Sequence, residues 1–440
     1  MNDLRDEFAR YKSARAAMSF ADDAAEERAE DAPPPPPPPP AAQAPLHPDL
    51  LPDPPRAEIR YTLISVDDHL VEPAHLFEGR MPAAFADVAP RVTTTPGGDE
   101  AWVFDGVTYP QVGLDAAAGR RVTGPVEPLR FEEIRRGCWD PDARVHDMDL
   151  AGIWASVNFP SQITGFCGAV YSGCSDPALG KACVRAFNDW YLDEWVAPHA
   201  ERFVPIGITF LADPEAGAAE IRRNAARGFR AVSLPDQPQE LGFPTLHSGW
   251  WDPVVEACVE TGTVVCLHVG GSGIAVPDLP ADGPRAEEAA TLFPTLPLRA
   301  ATDWVWSPYP RRHPDLRIVM AEGGLGWVPM LADRLDHIIE VAGHGGGAWG
   351  SNDVTPREVL LRNFWFCSLD DRSIWPIRDR IGIDHILVET DYPRAGSTWP
   401  DPQSLLAGRL ADLSVEEARK VTHENASALF GHPLPADVRP

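Results

Sequence analysis

Eight short apolar segments, separated by polar and helical stretches, follow one another from residue 61 onward. Their hydrophobic residues run almost continuously, which is typical of strands buried on both faces of a parallel sheet. The predicted strands are residues 61–67, 152–159, 203–210, 229–234, 263–269, 316–321, 363–369 and 385–390. Eight strands alternating with helices favour an α/β fold of the (β/α)8 TIM-barrel type over an open sheet.

Helical patterns lie between most of these strands, and a helical tail closes the chain. We expect helices at residues 178–197, 213–227, 250–261, 325–341, 372–380 and 414–430. Residues 70–141, between the first two strands, are too long for a simple connection. We therefore predict an insertion after strand one that forms a lid or small subdomain over the mouth of the barrel.

The first 56 residues differ in composition from the rest of the chain. Asp3 to Asp31 is charged and alanine-rich, and eight consecutive prolines follow at Pro33–Pro40. Such a tract forms a stiff, solvated polyproline II rod. We expect residues 1–56 to be a mostly disordered arm with a polyproline spacer, and residues 57–440 to be the barrel. A docking site for a proline-binding partner, or an arm that embraces a second subunit, are the alternatives.

Charge and cysteine content exclude several classes of function. The formal net charge of -27 repels nucleic-acid backbones and anionic lipid surfaces, so we expect no nucleic acid and no membrane as partners. The N-terminus lacks the apolar core of a signal peptide. The seven cysteines are scattered, odd in number and without a Cys-x-x-Cys pair. This pattern indicates reduced thiols and a cytoplasmic protein.

The first predicted strand ends in two carboxylates and an imidazole, Asp67, Asp68 and His69. Such groups are costly to bury unless they are paired or bound to a metal. Asp67 and His69 are two residues apart, so on an extended strand they point to the same side. They therefore offer an oxygen and a nitrogen ligand to one cation, whereas Asp68 is expected to point away from it.

Other ionisable side chains lie at the carboxyl ends of later strands, where barrel enzymes place their active sites. His268 ends strand five, Glu322 follows strand six, and Asp391 follows strand eight. With Asp67 and His69, His268 and Asp391 form a ligand set suited to Zn²⁺, with Mn²⁺ or Fe²⁺ as rivals. Taken singly, His268 is equally compatible with a buried, backbone-bonded histidine and Asp391 with a turn residue.

Several motifs occur in an order that resembles the amidohydrolase superfamily. They are Ser65–Pro73, Trp251–Pro253, His268-Val-Gly, His313–Arg317, Glu322–Trp327 and Glu389–Pro393. The chain resembles amidohydrolase family 2, in the branch that contains aminocarboxymuconate-semialdehyde decarboxylase. The resemblance covers roughly residues 60–432 and leaves out the N-terminal arm.

The resemblance implies one divalent metal ion bound by Asp67, His69, His268 and Asp391. Two-metal members use a carboxylated lysine on strand four, and residues 229–235 contain no lysine. The resemblance also implies a small-molecule substrate, expected to be a carboxylate, and a homodimer or larger homo-oligomer.

The chain departs from the family pattern at two positions. Glu322 stands where the decarboxylases carry a proton-transferring histidine, although a buried glutamate can also act as acid or base. Alternatively, Glu322 bonds its own glycine-rich turn. Arg394 stands where relatives often have histidine, and its guanidinium suits two parallel hydrogen bonds to a substrate carboxylate. Alternatively, Arg394 forms a surface salt bridge.

These observations predict a metal-dependent enzyme that decarboxylates an unsaturated or aromatic carboxylate without an oxidant. The expected catalytic residues are Asp391, Glu322 and His268, and Arg394 is the expected substrate-binding residue. Because Glu322 breaks the decarboxylase pattern, hydrolysis of an amide, lactone or carbon–carbon bond is the alternative. A third hypothesis is a non-catalytic metal-binding barrel.

Overall fold

A computed structural model describes residues 47–114, 116–121, 128–273, 283–342, 349, 354–368 and 371–439. The tract Pro33–Pro40 and most of the predicted arm lie outside the described residues. The described end of the arm pairs with residues 119–121: Leu51 donates to the Gly119 carbonyl at 2.7 Å, and Arg121 donates to the Asp49 carbonyl at 2.8 Å.

Each of the eight predicted strand segments overlaps at least one observed strand, and β1 extends two residues beyond the predicted end at residue 67. The described strands are β1 (Ile64–His69), β2 (Arg91–Thr94), β3 (Glu100–Phe104), β4 (Val107–Tyr109), β5 (Ala155–Phe159), β6 (Phe203–Val204), β7 (Ile206–Gly207), β8 (Ala231–Leu234), β9 (Val264–His268), β10 (Ile318–Ala321), β11 (Phe364–Ser368) and β12 (Ile386–Val388). All paired strands except β2, β3 and β4 run parallel. The predicted α/β class is confirmed.

The parallel strands form two hydrogen-bonded groups, in the orders β1-β5-β6 and β12-β11-β10-β9-β8-β7. The groups divide at Pro205, between β6 and β7, because proline has no amide hydrogen to donate to a sheet. Pro205 still accepts at its carbonyl from Arg230, at 2.9 Å. The third predicted strand, residues 203–210, is thus two short strands with a proline between them.

The residues that follow β12 lie against the end of β1. The Asp391 amide donates to the Asp67 carbonyl at 2.9 Å, and the His69 amide donates to the Tyr392 carbonyl at 2.6 Å. These two hydrogen bonds bring the carboxyl ends of the first and last strands side by side.

Helices alternate with the parallel strands. Within the described residues the α-helices are α1 (Pro141–Ala151), α2 (Ala169–Ser172), α3 (Pro177–Trp190), α4 (Pro214–Arg227), α5 (Asp252–Thr261), α6 (Arg285–Leu292), α7 (Thr295–Trp306), α8 (Pro308–Arg312), α9 (Val328–Ala342), α10 (Pro356–Asn363), α11 (Pro402–Arg409), α12 (Val415–Arg419) and α13 (Asn425–Phe430). Asp-Pro pairs begin α1, α3, α4 and α11, with the aspartate capping free amides and the proline in the first turn.

Three predicted helices differ in type from the observed structure. Residues 178–197 were expected to be one α-helix, but α3 ends at Trp190 and is followed by a π-helix, Tyr191–Val196. Residues 372–380 were expected to be α-helical, but they contain a 3-10 helix, Trp375–Arg380, with non-helical backbone angles at Ile377. The predicted tail at 414–430 is α12 and α13 joined by a π-helical turn, Lys420–Glu424. Among the described residues, no helix combines the length and the apolar content needed to cross a membrane.

Part of the predicted insertion forms an antiparallel sheet, β2-β3-β4. Trp102 and Phe104 on β3 pack edge-to-face against Phe77 and Tyr171, with ring centroids 5.9–6.1 Å apart. Further along the insertion, the amides of Ala117 and Ala118 donate to the Pro393 carbonyl at 2.9 and 2.8 Å. The insertion therefore contacts the loop that follows β12.

Candidate metal centre

Three predicted ligands meet at the carboxyl ends of β1 and β9. Asp67, His69 and His268 are buried, and their candidate ligand atoms all lie within 4.8 Å of one another. His268 Nε2 is 3.2 Å from His69 Nε2 and 3.4 Å from Asp67 Oδ2, and His69 Nε2 is 3.6 Å from Asp67 Oδ1. We call these residues the triad.

His268 and Asp67 offer lone pairs rather than protons at the centre of the triad. His268 Nδ1 donates to the Val269 carbonyl at 2.7 Å, so Nε2 carries a lone pair in the neutral ring. Within the described residues, neither carboxylate oxygen of Asp67 has a hydrogen-bond donor. Buried acceptors facing one another are unfavourable unless a cation lies between them. The donor set therefore fits a divalent metal ion.

Burial favours the neutral, metal-binding form of the two histidines but disfavours the ionised, metal-binding form of Asp67. Burial lowers the pKa of His69 and His268 well below the usual range, and the positive charge of Arg394 adds to this effect. Both rings are then neutral, as metal ligation requires. Burial also raises the pKa of Asp67, and the nearby carboxylates of Glu389 and Asp391 raise it further. A cation would offset this penalty by favouring the ionised carboxylate.

Two further carboxylates flank the triad: Asp391 lies next to His69, and Glu322 lies next to His268. Asp391 Oδ1 is 3.3 Å from His69 Nε2, and Glu322 Oε2 is 3.4 Å from His268 Nε2. Among the described residues, the set of ligand atoms within 4.8 Å of one another contains the triad alone. The fourth predicted ligand, Asp391, thus lies at the edge of the cluster, and Glu322 has an equivalent position on the other side.

Both flanking residues have left-handed backbones, with φ +57° at Asp391 and +53° at Glu322. Such conformations are unfavourable without glycine and persist when the surroundings enforce them. The Asp391 amide is held by the Asp67 carbonyl, and the Glu322 amide donates to Glu389 Oε2 at 3.0 Å. The backbone thus aims both carboxylates at the triad.

The turn after Glu322 is held by a different carboxylate. Asp371 Oδ1 accepts from the amides of Leu325 at 2.8 Å and Gly326 at 3.1 Å. Glu322 instead directs Oε1 to a hydrogen bond with Arg394 Nη1.

Arg394 connects the two flanking carboxylates. Besides its bond to Glu322, its Nε lies 3.5 Å from Asp391 Oδ1, and its guanidinium lies 5.7 Å from the ring centroid of Phe166. Its side chain is only 16 % exposed, so the ion pair between Arg394 and Glu322 is mostly buried and is not a surface salt bridge.

Two phenylalanines that were not predicted cover the imidazoles. The Phe166 ring centroid is 4.9 Å from that of His268 and 5.6 Å from that of His69, and for Phe159 the distances are 5.1 and 6.1 Å. Phe166 has φ +57° and stands between two left-handed glycines, Gly165 and Gly168. An aromatic residue among glycines after a predicted strand was the available sequence signal.

Asp68 faces away from the triad, as predicted. Its Oδ1 accepts from Ser65 Oγ at 3.0 Å, Thr390 Oγ1 at 2.6 Å and the Tyr392 amide at 3.1 Å. Burial raises the pKa of Asp68 to about 6, and the charge of Arg144 opposes this rise.

Arg144 was not predicted from the sequence. This buried residue on α1 donates to the His69 carbonyl and, at 2.6 Å, to the Gly137 carbonyl. Its guanidinium also lies over the rings of Tyr392 and Trp195, at 4.3 and 5.3 Å. Arg144 therefore links the backbone of a triad residue to helix α1.

A family model and a curated relative both match most of this chain. The family model described as "Amidohydrolase" matches residues 122–432. The 2-amino-3-carboxymuconate-6-semialdehyde decarboxylase of Dictyostelium discoideum is 23 % identical over 323 residues, which cover 71 % of this chain and 81 % of that protein.

Solved structures share the fold at low identity. An amidohydrolase from Mycobacterium avium subsp. paratuberculosis K-10 has a TM-score of 0.64 and 23 % identity, covering 85 % of this chain and 100 % of its own. The 5-carboxyvanillate decarboxylase of Sphingomonas paucimobilis has a TM-score of 0.57 and 20 % identity, covering 85 % of this chain and 100 % of its own. A dihydroxybenzoic acid decarboxylase from Polaromonas sp. JS666, with bound manganese and the inhibitor 2-nitroresorcinol, has a TM-score of 0.55 and 17 % identity. The match covers 84 % of this chain and 97 % of that one.

The family model covers well over half of the chain, and the fold neighbours are TIM-barrel-like α/β proteins. The chain is therefore an enzyme of the amidohydrolase family.

Proposed function

We propose that this enzyme decarboxylates a small aromatic or unsaturated carboxylate without an oxidant. The observation that carries the proposal is the mostly buried Arg394, which lies beside Asp391 at the edge of the triad. A guanidinium there can receive a substrate carboxylate, and Asp391 can exchange a proton next to it. The Dictyostelium relative, which is named a decarboxylase, supports this reaction class.

We infer that one divalent cation is held by Asp67, His69 and His268, with Asp391 as the fourth ligand. When bound, the cation would supply a fixed positive charge that polarises a substrate oxygen. The two imidazole ligands suit Zn²⁺. Mn²⁺ is the alternative, because the similar Polaromonas decarboxylase structure contains manganese.

In the proposed reaction, Arg394 holds the substrate carboxylate and the two phenyl rings pack against the apolar part of the substrate. The bond between the carboxylate carbon and the neighbouring carbon breaks, CO₂ leaves, and the electron pair stays on that neighbouring carbon. Asp391 takes a proton from solvent on the carboxylate oxygen that would not bind the metal and delivers it to that carbon. Glu322 orients Arg394 and is the second candidate for this proton transfer. His268 takes part as a ligand.

The aromatic surroundings favour loss of the carboxylate over attack by water. Phe159 and Phe166 lie within 4.9–6.1 Å of both imidazoles. Around a substrate they would form an apolar wall that excludes water, and a carboxylate that has lost its hydration there is less stable and releases CO₂ more readily.

The test uses ring-hydroxylated benzoates and unsaturated dicarboxylates, labelled with ¹³C at the carboxyl group, in D₂O. We expect ¹³CO₂ and one deuterium in each product molecule. The variant Asp391→Asn should lower the rate at least about 100-fold. Glu72→Gln, which alters a buried carboxylate bonded to Ser161, is the matched control. Incorporation of ¹⁸O from labelled water with no CO₂ released would contradict decarboxylation and indicate hydrolysis.

We also infer that the sheet closes between β1 and β12 into a (β/α)8 barrel spanning residues 57–440, with residues 1–56 as its arm. The two backbone hydrogen bonds between these strand ends support closure. A homodimer or larger assembly and a cytoplasmic location stay predictions, and light scattering of the purified full chain tests the first.

A further inference from the structure

We propose that Glu322 is itself a metal ligand, through Oε2, so that the site holds two imidazoles and three carboxylates. This inference rests on the metal-binding part of the proposed function. Glu322 Oε2 lies 3.4 Å from His268 Nε2, the same distance as Asp67 Oδ2. Neighbouring ligands that each bind a metal at about 2.1 Å, at angles of about 90–120°, are about 3.0–3.6 Å apart. Glu322, like Asp391, lies outside the 4.8 Å set of the triad, so both carboxylates would move toward the triad when a metal binds.

Two distant residues fix the orientation that this role requires. Arg394 binds Oε1 of Glu322, which leaves the other carboxylate oxygen on the side of His268. Glu389 accepts the amide hydrogen of Glu322 and holds its left-handed backbone. A strained backbone held from two sides is typical of a residue with a positioned functional group.

The charges balance only when Arg394 is included. Asp67, Asp391 and Glu322 contribute three negative charges, which a divalent cation and the guanidinium of Arg394 neutralise together. Without Arg394, a buried site with this ligand set would carry a net negative charge, which is unfavourable at low dielectric.

The extra carboxylate changes which metal the site prefers. Oxygen ligands suit Mn²⁺, whereas imidazole ligands suit Zn²⁺. A histidine in place of Glu322 would raise the imidazole share of the set and remove one negative charge. We therefore expect the natural glutamate to increase the affinity for Mn²⁺ relative to Zn²⁺.

The experiment measures metal binding to the full-length protein after removal of its metal with a chelator. Competition titrations give the Kd for Mn²⁺ and for Zn²⁺, and visible absorption of the Co²⁺-loaded protein reports the number of ligands. The variants are Glu322→Gln and Glu322→His, with Glu72→Gln as the control for loss of a buried carboxylate. Thermal unfolding of each metal-free variant checks that it folds, and the two substitutions provide independent tests.

We expect Glu322→Gln to weaken Mn²⁺ binding about 10- to 100-fold and to strengthen the Co²⁺ absorption, because fewer ligands give more intense bands. Glu322→His should shift the ratio of Zn²⁺ to Mn²⁺ affinity at least about 10-fold toward Zn²⁺. An unchanged Co²⁺ spectrum in both variants would overturn the proposal, even with weakened affinity, because Glu322 would then act only through Arg394. Failure to release CO₂ from any substrate would refute decarboxylation and leave these metal measurements unaffected.

Discussion

Replacement of Asp67 by asparagine should stabilise the protein when it holds no metal. The Asp67 side chain is fully buried, and among the described residues no donor reaches either of its carboxylate oxygens. The carboxylates of Glu389, Asp391 and Glu322 lie near enough to disfavour its charge. An unsatisfied buried polar group costs about 1–3 kcal/mol, and more when it is charged. We therefore expect Asp67→Asn to raise the free energy of unfolding of the metal-free protein by about 1–3 kcal/mol.

The same substitution should reduce the stabilisation that a metal ion provides. At a metal concentration about 1,000 times Kd, the wild-type protein gains about 4.1 kcal/mol by linkage. If the amide weakens binding about 100-fold, the variant gains only about 1.4 kcal/mol at that concentration. The advantage of the variant over wild type should therefore shrink by about 2.7 kcal/mol when metal is added.

Urea unfolding, once with a chelator and once with saturating metal, measures both effects. Asp68→Ala is the neighbouring control, because Asp68 accepts three hydrogen bonds and its loss should destabilise both forms. A metal-free Asp67→Asn protein that is less stable than wild type would refute the reasoning. So would equal metal-induced stabilisation of the variant and the wild type.

Three further substitutions test the surroundings of the site. Arg144→Met removes the donor to the buried His69 and Gly137 carbonyls, so the free energy of unfolding in urea should fall by about 2–5 kcal/mol. A loss below about 1 kcal/mol would contradict this role. Phe166→Gly relieves the left-handed backbone strain and removes an aromatic ring that covers the imidazoles. Stopped-flow measurements should therefore show faster transfer of bound metal to a chelator. An unchanged rate would show that the ring does not limit access to the metal. Tyr392→Phe removes a 2.6 Å hydrogen bond to Asp147, so the free energy of unfolding in urea should fall by about 1.5–3 kcal/mol while the metal affinity stays unchanged. A weakened metal affinity would contradict a purely structural role.

The parallel strands could be predicted because their signal is local. A buried parallel strand is a continuous apolar run, and each of the eight predicted runs overlaps a strand. The meeting of Asp67, His69 and His268 follows from the same pattern, since parallel strands bring their carboxyl ends to one edge. The predicted end of strand one was too early, because β1 continues to His69: its polar side chains are buried members of the strand.

Features that depend on distant partners could not be predicted in the same way. Pro205 is an exception, because a proline within an apolar run is a local signal for a break that the prediction of one strand over residues 203–210 did not use. Arg144 lies in a helix with no apolar stripe that would mark its face as buried, and its contacts come from His69, Gly137 and Tyr392. Charged residues are rarely buried unless they are paired, so composition alone places an arginine at the surface.

The roles of Glu322 and Asp391 illustrate this limit most clearly. Each has a left-handed backbone that its own side chain disfavours. The groups that hold them, Glu389 for one and the Asp67 carbonyl for the other, are 67 and 324 residues away in sequence. Local propensity therefore argues against the conformation that directs both carboxylates to the triad. The sequence could identify Glu322 as a departure from the decarboxylase pattern, but only its position beside His268 and Arg394 suggests that it replaces a proton-transferring histidine with a metal ligand.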